Sequence, residues 1–227
     1  VKVSEASLEP KAQAEEIDFI LATLNQYSAK TVTKSDIKAV FCGQRPLVRP
    51  QNQTNTAKIS RKHELMLSKN GLVTIVGGKW TIYRRMGQDT LDFVEKQFAL
   101  AVTKSVSHDL KLFGYTQDKL SYPLSAYGAQ SSQVKLIQEE LNNFALIHPD
   151  LPYLQAEVIY QVRYEQVKTV EDVLARRTRA LFLNSQAAIE AAPLVAQLMA
   201  QELGYDEKWQ KAQIAEFKRI AANFCLS

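Results

Sequence analysis

Two cysteines, three histidines and no apolar run of bilayer-spanning length leave this 227-residue chain without the means for several chemistries. Cys42 and Cys225 lie far apart in no metal-like spacing, so reduced structural thiols of a cytosolic protein are expected. His63, His108 and His148 are scattered, and no His/Cys/carboxylate cluster has ligand spacing, which leaves metal catalysis unsupported. A membrane span needs about 18 or more apolar residues and none occurs; no signal-peptide pattern precedes the first element. The chain opens Val-Lys-Val-Ser without Met and is expected to be a piece of a longer protein.

What the chain does have is ordinary globular content, 46% apolar and 23% charged, with an uneven distribution of charge. Residues 30–85 hold twelve Lys/Arg against only Asp36 and Glu64, a local balance of +10. The remainder is net −6, so the formal +4 hides a basic block. Such a block calls for an anionic ligand: a phosphate ester, a cofactor pyrophosphate or nucleic acid.

Glycine is sparse too, eight residues in all, yet two stand together in Gly71-Leu-Val-Thr-Ile-Val-Gly-Gly-Lys-Trp-Thr-Ile-Tyr-Arg-Arg85. An apolar strand, Leu72 to Val76, runs into the Gly pair and then into a helix. A strand–Gly-Gly–helix junction exposes backbone N–H groups where the helix dipole favours negative charge. Residues 79–85 carry Lys79, Arg84 and Arg85 and no acid, unfavourable at a helix start unless an anion comes from elsewhere. The junction is not a P-loop: Val73 stands where the first Gly belongs and Trp80 replaces the Ser/Thr. A tight turn with solvated basic residues accounts for the local motif equally well.

Periodicity then organises the chain. Glu9-Pro10 opens an amphipathic helix through Ile17, Ile20, Leu21 and Leu24. Lys38 to Cys42 reads as a strand. His63 to Ser68 and Leu72 to Val76 form a hairpin through Asn70-Gly71. A helix from about Thr81 carries Met86, Leu91, Val94 and Phe98. Residues 103–128 lack periodicity, and everything beyond is helical. Thr169 with Asp172, Asn184 and Asp206 are the N-cap signals there, and Pro193 should kink or break its helix. The fold class is α+β: a mixed α/β part over residues 1–105, then an all-α domain over 106–227.

Three motifs stand in order: Cys42-Gly-Gln-Arg-Pro-Leu-Val48, Ile59-Ser-Arg-Lys-His63 and the Gly71–Arg84 run. Together they resemble the later part of FAD-dependent glycerol-3-phosphate dehydrogenases. So do Val3–Pro10, Val170-Glu-Asp-Val-Leu-Ala-Arg-Arg-Thr-Arg179 and Glu190-Ala-Ala-Pro-Leu-Val195. Ile82 stands where that family usually has a second Thr, and Cys42 where a Ser is common. The Gly-x-Gly-x-x-Gly segment that holds the ADP half of FAD in the family does not occur here. The resemblance therefore implies a C-terminal portion: the end of the substrate-binding cap and the last flavin-contacting hairpin and helix (1–105), then the helical domain (106–227).

The implied reaction is hydride transfer from C2 of glycerol 3-phosphate to flavin N5, giving dihydroxyacetone phosphate, with electrons passed to an acceptor such as quinone. On this resemblance Arg45 and Arg61 are the substrate-side arginines, suited to bidentate phosphate contact. Lys79 matches an active-site lysine acting as an electrostatic stabiliser. Gly77, Gly78, Lys79, Trp80 and Thr81 are the cofactor-binding residues, their helix N-terminus facing the flavin edge that gains charge on reduction. The base is unassigned; His63 qualifies by type, but a hairpin histidine with a surface role is the commoner case. Arg176, Arg177 and Arg179 are expected to be salt-bridged or solvated, Trp80 and Tyr83 to be packing residues, and Cys42 to be a small buried residue.

This portion alone is expected neither to hold FAD nor to turn over. The resemblance further implies a cytoplasmic protein, peripheral on the inner face of the cell membrane. It leaves dimerisation, membrane docking and support of the flavin domain open as roles for the helical part. Two other readings remain: a related flavoprotein amine or hydroxy-acid oxidase, and a basic nucleic-acid-binding or scaffold module. The last would bind nucleic acid in a salt-dependent way, and the few aromatics among the basic residues argue against single-strand stacking.

Overall fold

The computed structural model describes residues 5–44 and 63–226. They fall into two compact units, one of Val1–Gly43 with Phe113–Ser227 and one of Gln44–Leu112. The architecture is α+β, helix-rich with one two-stranded antiparallel sheet among the described residues.

In the larger unit, helix α1 spans Ala14–Asn25 and begins four residues after Pro10. Its start is fixed by a capping box: Glu16 reaches back to the Gln13 N–H at 3.2 Å, and Glu15 and Glu16 complement the dipole. The strand expected over Lys38 to Cys42 does not form. The segment is extended without a ladder partner among the described residues and lies on helices instead. Lys38 O accepts from the Ser185 N–H and hydroxyl (both 3.0 Å), and Val40 N–H donates to Phe224 O at 2.8 Å. Phe41 meets Phe182 edge-on, ring centroids 5.0 Å apart. A short apolar run such as Ala39-Val-Phe-Cys42 suits an extended chain on a helical core as well as it suits a sheet.

The helical body comprises α3 (Ser131–Leu141), α4 (Gln155–Tyr164), α5 (Ala180–Leu183), α6 (Ser185–Leu203) and α7 (Glu207–Ala221). Helix α6 is the axis, packing against α4, α5 and α7. Its buried stripe is small: Ala187, Ala188, Ala191, Ala192, Ala196 and Ala200, with Val195 and Met199. Small side chains let the partner helices approach closely, and Phe217, Leu174 and Leu181 fill the gaps that remain. Pro193 neither breaks nor ends α6, which runs through it. The caps of this body follow the sequence: Asn184 accepts from Ala187 N–H (3.2 Å) and Asp206 from Trp209 N–H (2.8 Å). Arg163 ties three helices by pairing Glu140 of α3 at 2.8 Å and Glu202 of α6 at 2.7 Å.

Residues 170–182 depart from a simple helix. Thr169 and Asp172 form the reciprocal cap, Asp172 N–H to the Thr169 hydroxyl (3.1 Å) and Thr169 N–H to the Asp172 carboxylate (2.9 Å). Asp172–Arg177 then widens into a π-turn, because both the N–H and the hydroxyl of Thr178 bond Val173 O, at 3.0 and 2.7 Å. Arg179 turns left-handed (φ 62°) before α5 starts.

In the smaller unit, β1 (His63–Leu67) pairs antiparallel with β2 (Val73–Gly77), His63 opposite Gly77 and Leu67 opposite Val73. Gly71, at φ 85°, closes the turn. Helix α2, Tyr83–Gln97, follows a 3-10 turn over Trp80–Ile82. No described residue of this unit is fully buried.

Candidate functional site

The junction between β2 and α2 is built by two left-handed glycines, Gly77 (φ 77°) and Gly78 (φ 75°). A side chain at Gly78 would be strained by that backbone, and its Cβ would lie 2.6 Å from Met86 Sδ and 3.3 Å from His63 Cβ. The left-handed backbone is what calls for glycine at both positions, and the contact with the end of the Met86 side chain adds to it at Gly78.

Lys79 follows in extended conformation at the N-cap of the 3-10 turn, and neither that turn nor α2 has an acid in its first turn. The cations nearby are not equivalent. Arg84 donates to Gln88 and Ser107 (each 3.3 Å), and Arg85 pairs with Asp89 at 2.9 Å. Lys79 is exposed, and its ammonium has no ion pair or hydrogen bond among the described residues. A helical N-terminus with free dipole and an unpartnered lysine stabilises negative charge placed beside it. Trp80 is 88% exposed, its ring 5.9 Å from that of the exposed Tyr83. This differs from the packing role expected of both residues. Thr81 is exposed on the same turn.

The structure brings Gly77, Gly78, Lys79, Trp80 and Thr81 together as one short segment. Arg45 and Arg61 lie outside the described residues. One relationship was not legible in the sequence. His63 Nε2 lies 3.0 Å from the Asp89 carboxylate, and its Nδ1 is buried without a partner among the described residues. The histidine is largely covered, its side chain 16% exposed, rather than a surface residue. Asp89 could have been found only by noticing that the Gly78 turn folds α2 back over the start of β1. No group of three or more His, Cys, Asp or Glu residues with metal-holding geometry occurs among the described residues.

A second polar concavity lies in the larger unit. A cavity of about 740 Å³ has Glu157 and Gln161 of α4 on its wall, with Tyr127 between them. The Tyr127 hydroxyl donates to Glu157 at 2.9 Å and accepts from Gln161 Nε2 at 2.9 Å. Burial pushes the Glu157 carboxyl up to about 7, against the downward pull of the Leu154 N–H and the Tyr127 hydroxyl. Burial also holds the Tyr127 hydroxyl well above its usual range. Nothing in the sequence pattern draws these residues together.

Comparison with known proteins puts the chain in the class of C-terminal domains of larger proteins. More narrowly, the family model for the C-terminal domain of alpha-glycerophosphate oxidase matches residues 72–210, and the chain belongs to that family. It is 35% identical over 236 residues to the Caenorhabditis elegans "Probable glycerol-3-phosphate dehydrogenase, mitochondrial", covering 93% of this chain and 32% of that protein. The human mitochondrial glycerol-3-phosphate dehydrogenase is 31% identical over 235 residues, with the same coverage of both chains. The chain thus spans about a third of the length of these relatives. Its fold also matches the crystal structure of the Bacillus halodurans glycerol-3-phosphate dehydrogenase complexed with FAD. The TM-score is 0.68 at 24% identity, covering 95% of this chain and 46% of that one.

Proposed function

We propose that the longer protein carrying this chain is an FAD-dependent glycerol-3-phosphate dehydrogenase. The observation that carries this reading is the Gly77-Gly78-Lys79 junction: a bare, acid-free helical start with a cation unpaired among the described residues, in a chain of this family. The residues present fit a flavin. The two glycines leave the strand exit without side chains, and the first N–H groups of the 3-10 turn offer donors to an electron-rich ring edge. When bound, FAD supplies the hydride acceptor for oxidation of glycerol 3-phosphate to dihydroxyacetone phosphate.

Gly77, Gly78, Lys79, Trp80 and Thr81 would hold the flavin edge, and Lys79 would offset negative charge on substrate oxygen or flavin. Arg45 and Arg61 would anchor the substrate phosphate. His63, oriented by Asp89, is a stronger candidate for the proton acceptor than its residue type alone made it. Residues 1–105 would close the cap and flavin domains and 106–227 would form the helical domain. By itself this chain would hold no FAD. A quinone-type acceptor, a homodimer and peripheral attachment to the inner face of the cell membrane from the cytoplasm complete the reading. No helix among the described residues is long and apolar enough to cross a membrane.

The test is steady-state kinetics on the full-length protein. Arg45→Ala raises KM for glycerol 3-phosphate at least tenfold, and Lys79→Met lowers kcat with little change in KM. An unchanged KM removes Arg45 from the phosphate site. A preference for a phosphate-free substrate replaces the reading with a related amine or hydroxy-acid oxidase.

A further inference from the structure

The cavity of the larger unit carries a charge that nothing around it balances. Its wall includes two carboxyl side chains, Glu157 and Glu165, and three guanidinium side chains, Arg176, Arg177 and Arg179. Four of these are accounted for. Arg176 is paired with Glu171, Arg177 is paired with Glu165 at 3.2 Å, and burial favours the neutral form of Glu157. Arg179 is left over, with no carboxylate partner among the described residues. One uncompensated cation in the wall of a concavity calls for one negative charge inside it. A dianion would set a second negative charge near Glu165 with no cation left to meet it.

The leftover guanidinium is held in place. It lies over the Phe182 ring, 5.4 Å from the centroid. Phe182 is itself fixed edge-on between Phe41 and Phe224, with centroids 5.0 and 5.2 Å away. Stacking on a held ring orients a guanidinium and leaves its N–H edge for a planar acceptor with two oxygens, which a carboxylate provides. Burial raises the hydroxyl of Tyr153 in the same wall, and Arg179 is near enough to pull against that rise, so its charge is felt inside the cavity. Around this cation the wall is aromatic. Phe41, Phe113 and Tyr122 line the cavity while each is more than half exposed, so apolar ring surface stands open for a flat body to cover. A volume of about 740 Å³ is within the range that encloses small organic ligands and leaves room for more than a single ring.

We propose that this cavity binds an aromatic monocarboxylate with a fused-ring body, its carboxylate on Arg179 and its rings against the aromatic wall. The site shares no residue with the Gly77–Thr81 junction and stands independently of the dehydrogenase reading.

The test is titration calorimetry of 2-naphthoate into the full 227-residue chain, at about pH 6 so that Glu157 is mostly neutral. Saturable 1:1 binding is expected. The uncharged 2-naphthalenemethanol, the saturated decahydro-2-naphthoate and the dianionic naphthalene-2,6-dicarboxylate each bind at least tenfold more weakly. Arg179→Gln brings the acid down to the affinity of the alcohol, whereas Arg176→Gln, at a cation already paired, leaves the preference for the acid in place. Circular dichroism of both variants reports whether the fold persists, and the comparison of the four ligands on the unaltered chain needs no variant. Absence of saturable 2-naphthoate binding overturns the proposal. So does an affinity for any of the three analogues equal to that for 2-naphthoate, or an equal loss in the two arginine variants.

Discussion

Glu157 shows how far a single residue can depart from what its type suggests. It is 2% exposed, caps α4 through the Leu154 N–H at 2.6 Å and receives the Tyr127 hydroxyl, yet no cation is paired with it among the described residues. Two hydrogen bonds do not replace the hydration lost, so the neutral form is favoured in the fold. With the folded value near 7, above an ordinary value of 4.5, its contribution to stability is fully present below pH 4.5. That contribution is lost as pH rises through 7, and is on the order of 3 kcal/mol. Denaturant midpoints measured from about pH 4 to 8 should therefore fall across that window. Glu157→Gln should flatten this fall: an amide nitrogen replaces one of the two accepting oxygens and lowers stability at low pH, whereas above pH 7 the variant is spared the burial of a charge. A wild-type-like slope in that variant assigns the effect to another group. The same residue marks the limit of sequence reading. The caps at Asn184 and Asp206 were legible because donor and acceptor lie three residues apart. Glu157, Tyr127 and the arginines come from distant segments, and only the packed body brings them to one cavity.

At the scale of elements, the β2–α2 junction was legible and its neighbours were less so. Two adjacent glycines before an acid-free basic start announce a bare strand exit from sequence alone. The strand expected at Lys38–Cys42 failed because a short apolar run fits any covered segment and does not say what covers it. The π-turn escaped notice because it depends on whether a Thr178 hydroxyl turns back onto Val173 O. The two hairpin glycines give a direct test of why the junction needs glycine. Gly71 (φ 85°) has nothing within 4 Å of where a Cβ would stand, whereas at Gly78 (φ 75°) Met86 Sδ would be 2.6 Å away. Gly71→Ala should cost only the left-handed backbone, about 1–2 kcal/mol, read as local opening free energy of the hairpin amides. Gly78→Ala should cost more, and Met86→Ala in its background should return the excess but not the backbone part. Equal costs at the two positions would mean that Met86 simply moves aside.

For the whole molecule the contrast lies in where burial is found. The larger unit has a continuous apolar core, with Ala188, Ala192, Val195, Ala196 and Met199 of α6 fully buried. The smaller unit has a hairpin of two five-residue strands and a single helix, with no described residue fully buried. Two strands and one amphipathic helix seldom hold together by themselves in water, whereas an alanine-lined helix between three partners unfolds only with its body. Native-state hydrogen exchange on this chain should therefore separate the two. Amides from Ala187 to Ala200 should exchange through global unfolding, with a full dependence on denaturant. Those of β2 should exchange at least a hundredfold faster through local opening that denaturant barely affects. In the FAD-loaded full-length protein the proposed flavin contact at Gly77–Thr81 should raise β2 protection and leave α6 unchanged. Equal protection and equal denaturant dependence in the isolated chain would show one cooperative body. No rise on FAD loading would detach the junction from the cofactor.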